Sequence, residues 1–239
     1  YIRAIEESAH KAAAVIHDLQ AIGKGAHYEK TLLNINTVVD HFLKSAEYQK
    51  VKGAFPHVRV ETHLGQILSQ AAGSSSQLHK VVANLVTNAF EAVPHSGVVE
   101  IATSSKCIDR AVGRYGYGRA GDYLILTVKD SGSGMRHEDV ERIFEPFYTR
   151  KQMGRKLLSG LGMTMVYRVV EDHGGFMDVT TGAQQGTAFH VYLPVYKVQS
   201  DEPFELRPDY TGTEVILVVD DYEEQRNTAA ELLRGLGYR

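Results

Sequence analysis

The chain has 239 residues, of which 43% are hydrophobic and 23% charged, with a formal net charge of -3. That length admits one large domain or a domain of about 150 residues with flanking pieces, and so small a charge excess gives no sign of a polyanionic partner such as nucleic acid. No apolar run approaches the ~18 to 20 residues needed to cross a bilayer, and the N-terminus lacks a signal-peptide pattern, so no membrane contact is expected of this chain.

In chain order, Ile2, Ile5, Ala9, Ala12, Ile16 and Leu19 recur at spacings of three and four, the seam of a helix that requires a partner helix. Gly23 and Gly25 then stop it. A short strand is predicted at Leu32 to Ile35 and a helix from about Thr37, with Asn36 as its cap. VRVETHL (58–64) alternates as a strand, and Ser75 or Ser76 caps a long apolar-periodic helix through Val93, ended by Pro94 and Gly97. Two strands follow, at Val98 to Ser104 and Tyr123 to Lys129, joined by a hairpin tip containing GRYGYGRAG. The only cysteine, Cys107, cannot form an intrachain disulfide; its alternating surroundings predict a small buried hydrophobe, and a reducing cytoplasmic setting fits. Beyond a loop rich in Gly, Arg and Lys, a helix is predicted from about Gly160 to His173, then a hairpin of GFMDVTT and GTAFHVYLP closed by Pro194. Residues 195 to 213 read as an acidic, proline-bearing linker, and EVILVVDD as a buried strand followed by a final helix.

Three short elements carry chemistry. Asn84 and Asn88 lie four apart on one face of the long helix, and buried amides need partners, either each other's backbone or a ligand. In KDSGSGM the strand ending at Lys129 delivers Asp130 into a turn with Gly132 and Gly134; a carboxylate there can accept from an exocyclic amine such as that of adenine, while glycines let the backbone approach a flat base. In SGLGM, Gly160 and Gly162 precede a helix whose free N-terminal amides suit a phosphate chain. Each alone is also an ordinary helix or turn feature.

Their order is what is specific. An asparagine helix, Asp-x-Gly-x-Gly after a strand, IFEPFYTRK, Gly-Leu-Gly opening a helix and a closing GTAFHVYLP strand together resemble the ATPase superfamily of histidine kinases, gyrases, Hsp-type chaperones and mismatch-repair proteins. FEPFYT is similar to the phenylalanine box of histidine kinases. The resemblance implies an α/β two-layer sandwich, a mixed sheet packed on helices, with ATP held among them. Residues 1–26 resemble the second helix of a dimerisation and phosphotransfer hairpin, 27–196 the catalytic domain, 197–213 a linker, and 214–239 the opening of a response-regulator receiver in a hybrid kinase.

Carried over by residue, the resemblance makes Asn88 the Mg2+ ligand and Asn84 its phosphate-side neighbour with a catalytic role. Asp130 reads the adenine amine with Thr187 beside it, Gly132 and Gly134 line the base pocket, and Gly160, Leu161 and Gly162 meet the phosphates. Lys151, with Arg155 and Lys156, belongs to the nucleotide lid and neutralises phosphate charge. Implied cofactors are ATP and Mg2+; implied partners are a second copy, through the helical hairpin, and a receiver domain in cis or in trans. The chain departs from the pattern at Leu157, Leu158 and Ser159 before Gly-Leu-Gly, at Glu91 where a lysine is frequent, and at SSSQL before the asparagine helix.

Several other motifs fail on context. GYGRAG (116–121) spells a dinucleotide fingerprint but opens a strand instead of a helix. The basic and aromatic loop around Arg110, Arg114, Tyr115, Tyr117 and Arg119 reads as solvated surface. His17-Asp18 imitates a phosphoacceptor box, but its helix stops at Gly23 and too few residues separate it from Asn84 for a full hairpin. The acceptor histidine is therefore expected upstream of Tyr1, so that the chain as given binds Mg-ATP without phosphorylating itself. Asp220 and Asp221 match a receiver's acidic pair, yet too little chain follows for that fold to complete. Within the same superfamily, a dedicated ATPase carries a glutamate where Asn84 stands, and a scaffold with a degenerate lid is the other alternative.

Overall fold

The computed structural model describes residues 30–66, 68–109, 115, 118–149, 160–196, 212–219 and 223–239. The chain divides into two units, 1–196 and 197–239. The predicted N-terminal helix, His17, the lid residues Lys151, Arg155, Lys156, Leu157, Leu158 and Ser159, most of the linker, and Asp220 and Asp221 lie outside the described residues.

In the first unit, β1 (Thr31–Leu33) pairs antiparallel with β3 (Ala71–Gly73), a strand too short to show as an alternating pattern. Between them lie α1 (Ile35–Leu43), α2 (Ala46–Ala54) and β2 (Val58–Leu64). The cap of α1 is Asn34, whose side chain accepts from the Asn36 amide at 2.9 Å, not Asn36 as the sequence predicts. Asn36 is used elsewhere: its Nδ2 donates to Gly65 O at 2.8 Å and its Oδ1 accepts from the Thr103 hydroxyl at 2.7 Å. A second cap, Ser45, accepts from Tyr48 N at 3.1 Å and divides α1 from α2.

The centre of the unit is α3 (Ser75–Ala92), where Leu78, Val81, Val82, Leu85, Val86, Ala89 and Phe90 recur at helical spacing and are all buried. It packs with α1 and α5 (Gly162–Asp172) against one face of a five-stranded sheet in the order β2-β4-β5-β7-β6. The sheet is mixed: β2 runs parallel to β4 (Gly97–Ile108), and β4–β5, β5–β7 and β6–β7 are antiparallel, with β5 at Gly121–Asp130, β6 at Phe176–Gly182 and β7 at Gly186–Pro194. This is the two-layer α/β sandwich expected. On β5, Leu124, Leu126 and Val128 join the helical core, while Tyr123 belongs to a separate aromatic cluster with Phe176 and Ile108; Tyr192 stacks on Phe176 at 4.3 Å between ring centroids. Strands β4 and β5 run longer than predicted, pairing as far as Ile108 with Gly121, so the glycine-rich segment does connect a hairpin. Cys107, expected to be buried, is exposed: the alternation that buries Ile108 turns its neighbour outward.

In the second unit, α6 (Glu223–Gly235) forms where a helix was predicted, but the predicted buried strand does not. Val215, Leu217 and Val219 are at least 83% exposed, and among the described residues the segment's backbone reaches the chain end, with Ile216 N donating to Arg239 O and Arg239 N to Glu214 O. A single apolar strand buries its side chains only when neighbouring strands cover them.

Candidate active site

The end of β5 fixes the site. Asp130 is the last residue of the strand, turned toward the helices and only 3% exposed. Its Oδ1 accepts from Gly132 N at 2.8 Å and Thr187 N at 3.3 Å, and neither bond engages Oδ2. Burial pushes its carboxyl above the ordinary range, while the two amide bonds pull the other way. Asp130 lines a cavity of about 680 Å³ that reaches from α3 to the start of α5.

The loop after Asp130 is held from both sides. Gly132 lies so close to the end of α3 that a Cβ would stand 2.2 Å from Ala92 O. Gly134 adopts φ +71 against the β6–β7 hairpin, where a Cβ would meet Gly182 O at 2.0 Å. Met135 N donates to Thr181 Oγ1 at 2.9 Å and Gln184 N to Ser133 O at 2.9 Å, while Thr181 and Thr187 share a hydroxyl contact at 3.0 Å. Thr181 is thus a supporting residue that the sequence reading missed. Its signal was available, because Thr181 stands directly opposite Thr187 in the antiparallel register of the hairpin.

On α3, Asn84 and Asn88 both line the cavity. Asn84 Nδ2 donates to Lys80 O of its own helix at 2.9 Å, so half of its amide is satisfied internally. Its Oδ1 faces Gly162, where a Cβ would stand 2.5 Å away; only a glycine lets α5 begin this close to α3. Among the described residues Asn88 has no hydrogen-bond partner, leaving its amide oxygen for a ligand.

The opening of α5 is tied to the IFEPFYT segment. Phe147 N donates to Gly160 O at 3.2 Å and the Thr164 hydroxyl to Phe144 O at 3.1 Å. A short helix, α4 (His137–Arg142), precedes the segment and was not predicted. Its buried Asp139 accepts from the Tyr148 hydroxyl at 2.6 Å and pairs with Arg136 at 3.2 Å; these contacts, the arginine's first, hold its carboxyl down at about 2. Behind the cavity, His173 at the end of α5 accepts from Ser74 N at 2.9 Å through Nε2, while its Nδ1 lies 2.6 Å from Val169 O. It thereby satisfies an amide at the N-terminus of α3.

The structure therefore brings Asn84, Asn88, Asp130, Gly134, Gly160, Gly162 and Thr187 around one cavity. Gly132 and Leu161 stand behind its wall: Gly132 spends its amide on Asp130, and Leu161 is a fully buried core residue at the N-cap of α5. Lys151 lies outside the described residues.

This fold and site define a class. Residues 73–197 match the family of histidine kinase-, DNA gyrase B- and HSP90-like ATPases, and the chain belongs to that family. It is 27% identical over 98% of its length to the sensor kinase CckA of Brucella abortus and 27% identical over 78% to the sensor histidine kinase ZraS of Salmonella typhimurium. It spans 25% and 36% of those two proteins, respectively. Among solved structures it is similar to the mycobacterial sensor histidine kinase MprB, with a TM-score of 0.53 and 26% identity over 70% of this chain and 97% of that one.

Proposed function

We propose that this chain carries the ATP-binding catalytic core of a two-component sensor histidine kinase, using Mg-ATP to phosphorylate a histidine for relay to a receiver aspartate. The observation that carries the proposal is Asp130, a carboxylate 3% exposed, with one oxygen fixed by two backbone amides and the other left for a cavity about 680 Å³ in volume. A cavity of that size suits a nucleotide. Asp130 would accept from the adenine amine, with the Thr187–Thr181 pair and the loop at Gly134 beside the base. The opposite end, walled by Asn84, Asn88 and Gly162, suits the phosphates, because the first-turn amides of α5 and the positive end of its dipole favour anions.

For magnesium, the donor set fits the ion's habit of taking few protein ligands when phosphates and water supply the rest. Among the described residues, no group of three or more His, Cys, Asp or Glu side chains is placed to hold a metal, and the unpaired amide of Asn88 is a suitable oxygen ligand. Bound there, Mg2+ would neutralise phosphate charge during transfer. Asn84 contributes an amide, which cannot take a proton from water, so the cavity favours transfer to a positioned acceptor over hydrolysis. The acceptor histidine would come from a helical hairpin that also pairs two copies of the protein, and the onward partner would be a receiver domain in cis or in trans. In support, the sequence relatives are sensor kinases, and ShkA, similar in fold, has been solved in complex with AMPPNP.

The test is incubation with γ-labelled ATP, Mg2+ and the histidine-bearing hairpin of the parent protein, in cis or in trans. Acid-labile, base-stable label on the hairpin, with slow release of free phosphate, is expected. Rapid release of phosphate with no phosphohistidine would instead identify a dedicated ATPase.

A further inference from the structure

Strands β4 and β5 part after Ile108 and meet again at Gly121, and the chain between them carries Tyr115 to β6, the edge strand of the sheet. There Met177 N donates to Tyr115 O at 3.0 Å, in an antiparallel bridge that occupies a backbone amide on the strand's open side. The Tyr115 side chain is half-buried against the helical core, not solvated as its basic and aromatic surroundings in the sequence suggest. Its hydroxyl donates to Val140 O in α4, and its ring meets Phe144 edge-on, with centroids 4.7 Å apart. Phe144 in turn faces α5: its ring centroid lies 5.4 Å from that of Tyr167, and its carbonyl accepts from the Thr164 hydroxyl at 3.1 Å. Tyr115 is not among the residues lining the cavity, yet it holds the segment against which α5 begins.

We propose that Tyr115 is a positioning residue for the phosphate end of the cavity, acting through Phe144 on the first turn of α5, an inference that rests on the nucleotide reading above. The free amides of a helix N-terminus favour an anion only where the turn that carries them is held in place, and a terminal turn frays unless something packs on it. Thr164 lies in that turn and is tied to Phe144 O, while the Phe144 ring is set between Tyr115 and Tyr167. Through its hydroxyl, Tyr115 also steadies α4 at Val140, next to the Asp139 carboxylate that accepts from Tyr148 on the cavity wall. The adenine end is built differently: Asp130 is fixed by the Gly132 and Thr187 amides and by the pairing of β5 with β7. Loss of Tyr115 should therefore loosen the grip on the phosphates and leave base recognition intact.

The test compares adenosine with AMP-PNP, both in MgCl2, by displacement of a fluorescent ATP analogue from the full chain, for the parent, Tyr115→Phe and Tyr115→Ala. The ratio of the two dissociation constants, adenosine over AMP-PNP, reads the share of binding that the phosphates supply. Relative to the parent it should fall about tenfold in Tyr115→Ala, which loses ring and hydroxyl, and about threefold in Tyr115→Phe, which keeps the ring. Adenosine affinity itself should not change. A merely structural role would weaken both ligands alike, so an unchanged ratio in Tyr115→Ala overturns the proposal. Should that variant fail to fold, Tyr115→Phe decides alone: a smaller ratio supports the role of Tyr115, and an unchanged one overturns it. A parent that binds AMP-PNP no more tightly than adenosine, or binds neither, overturns the nucleotide reading itself, and the role of Tyr115 with it.

Discussion

At the scale of single residues, Asp130 and Asn84 are both polar groups in an apolar setting, but the structure uses them differently. Asp130 has one oxygen committed to the protein and one left for a ligand, whereas Asn84 already donates to its own helix at Lys80 O. Asp130→Asn should therefore weaken nucleotide binding much more than Asn84→Ala, on the order of a hundredfold against a few-fold, since a buried contact to a charged acceptor is worth about 1.5 to 3 kcal/mol. Titration of each variant with an adenine nucleotide and Mg2+ checks this, and equal affinities would remove Asp130 from base recognition. Asp130, Gly134, Asn84 and Asn88 were legible in the sequence because each sits in a short contiguous motif with a chemical reason for its residue type. Glu47, Asp139 and Tyr148 were harder to see, since they reach the cavity only through tertiary packing, whereas Thr181 supports it from behind through Thr187. Asn34 and Asn36 were confused because both can cap a helix, and only the long-range bonds to Gly65 and Thr103 separate their roles.

At the scale of elements, the site depends on how closely α3, α5 and the β6–β7 hairpin approach the end of β5. Gly186 has φ +75, and a Cβ there would stand 1.9 Å from Asp130 O. Gly186→Ala should lower stability by roughly 2 to 3 kcal/mol and weaken nucleotide binding as well, because the neighbouring Thr187 amide helps fix Asp130. Chemical denaturation beside nucleotide titration measures both. His173 joins the end of α5 to the start of α3, and burial pushes its imidazole below the ordinary histidine value. The unfolded chain then holds the proton more readily, so stability is full above about pH 6.5 and is lost as pH falls from there through the lowered folded value. His190, also lowered by burial, adds to the same slope. His173→Leu should flatten part of that slope and cost about 1 to 3 kcal/mol by orphaning Ser74 N; unfolding midpoints between pH 5 and 8 test it, and an unchanged slope would contradict it. Long periodic elements such as α3 and the closing hairpin were legible; β3, α2 and α4 are too short to carry a pattern of their own.

At the scale of the whole molecule, the first unit is the family's sandwich, recognisable from the order of its motifs because each marks a separate wall of one cavity. The apolar run at 215–219 shows the limit of such reading: it has a strand's composition, but composition does not supply the neighbouring strands that would bury it. The central claim is that an adenine nucleotide lies between α3, the end of β5 and the start of α5. Amide hydrogen exchange of the full chain, with and without AMP-PNP and Mg2+, tests this most directly. Protection is predicted at residues 130–135, at 160–165 and at Thr187, with little change in β2 or at 212–239. Protection confined to other segments, or none under saturating nucleotide, would contradict the account.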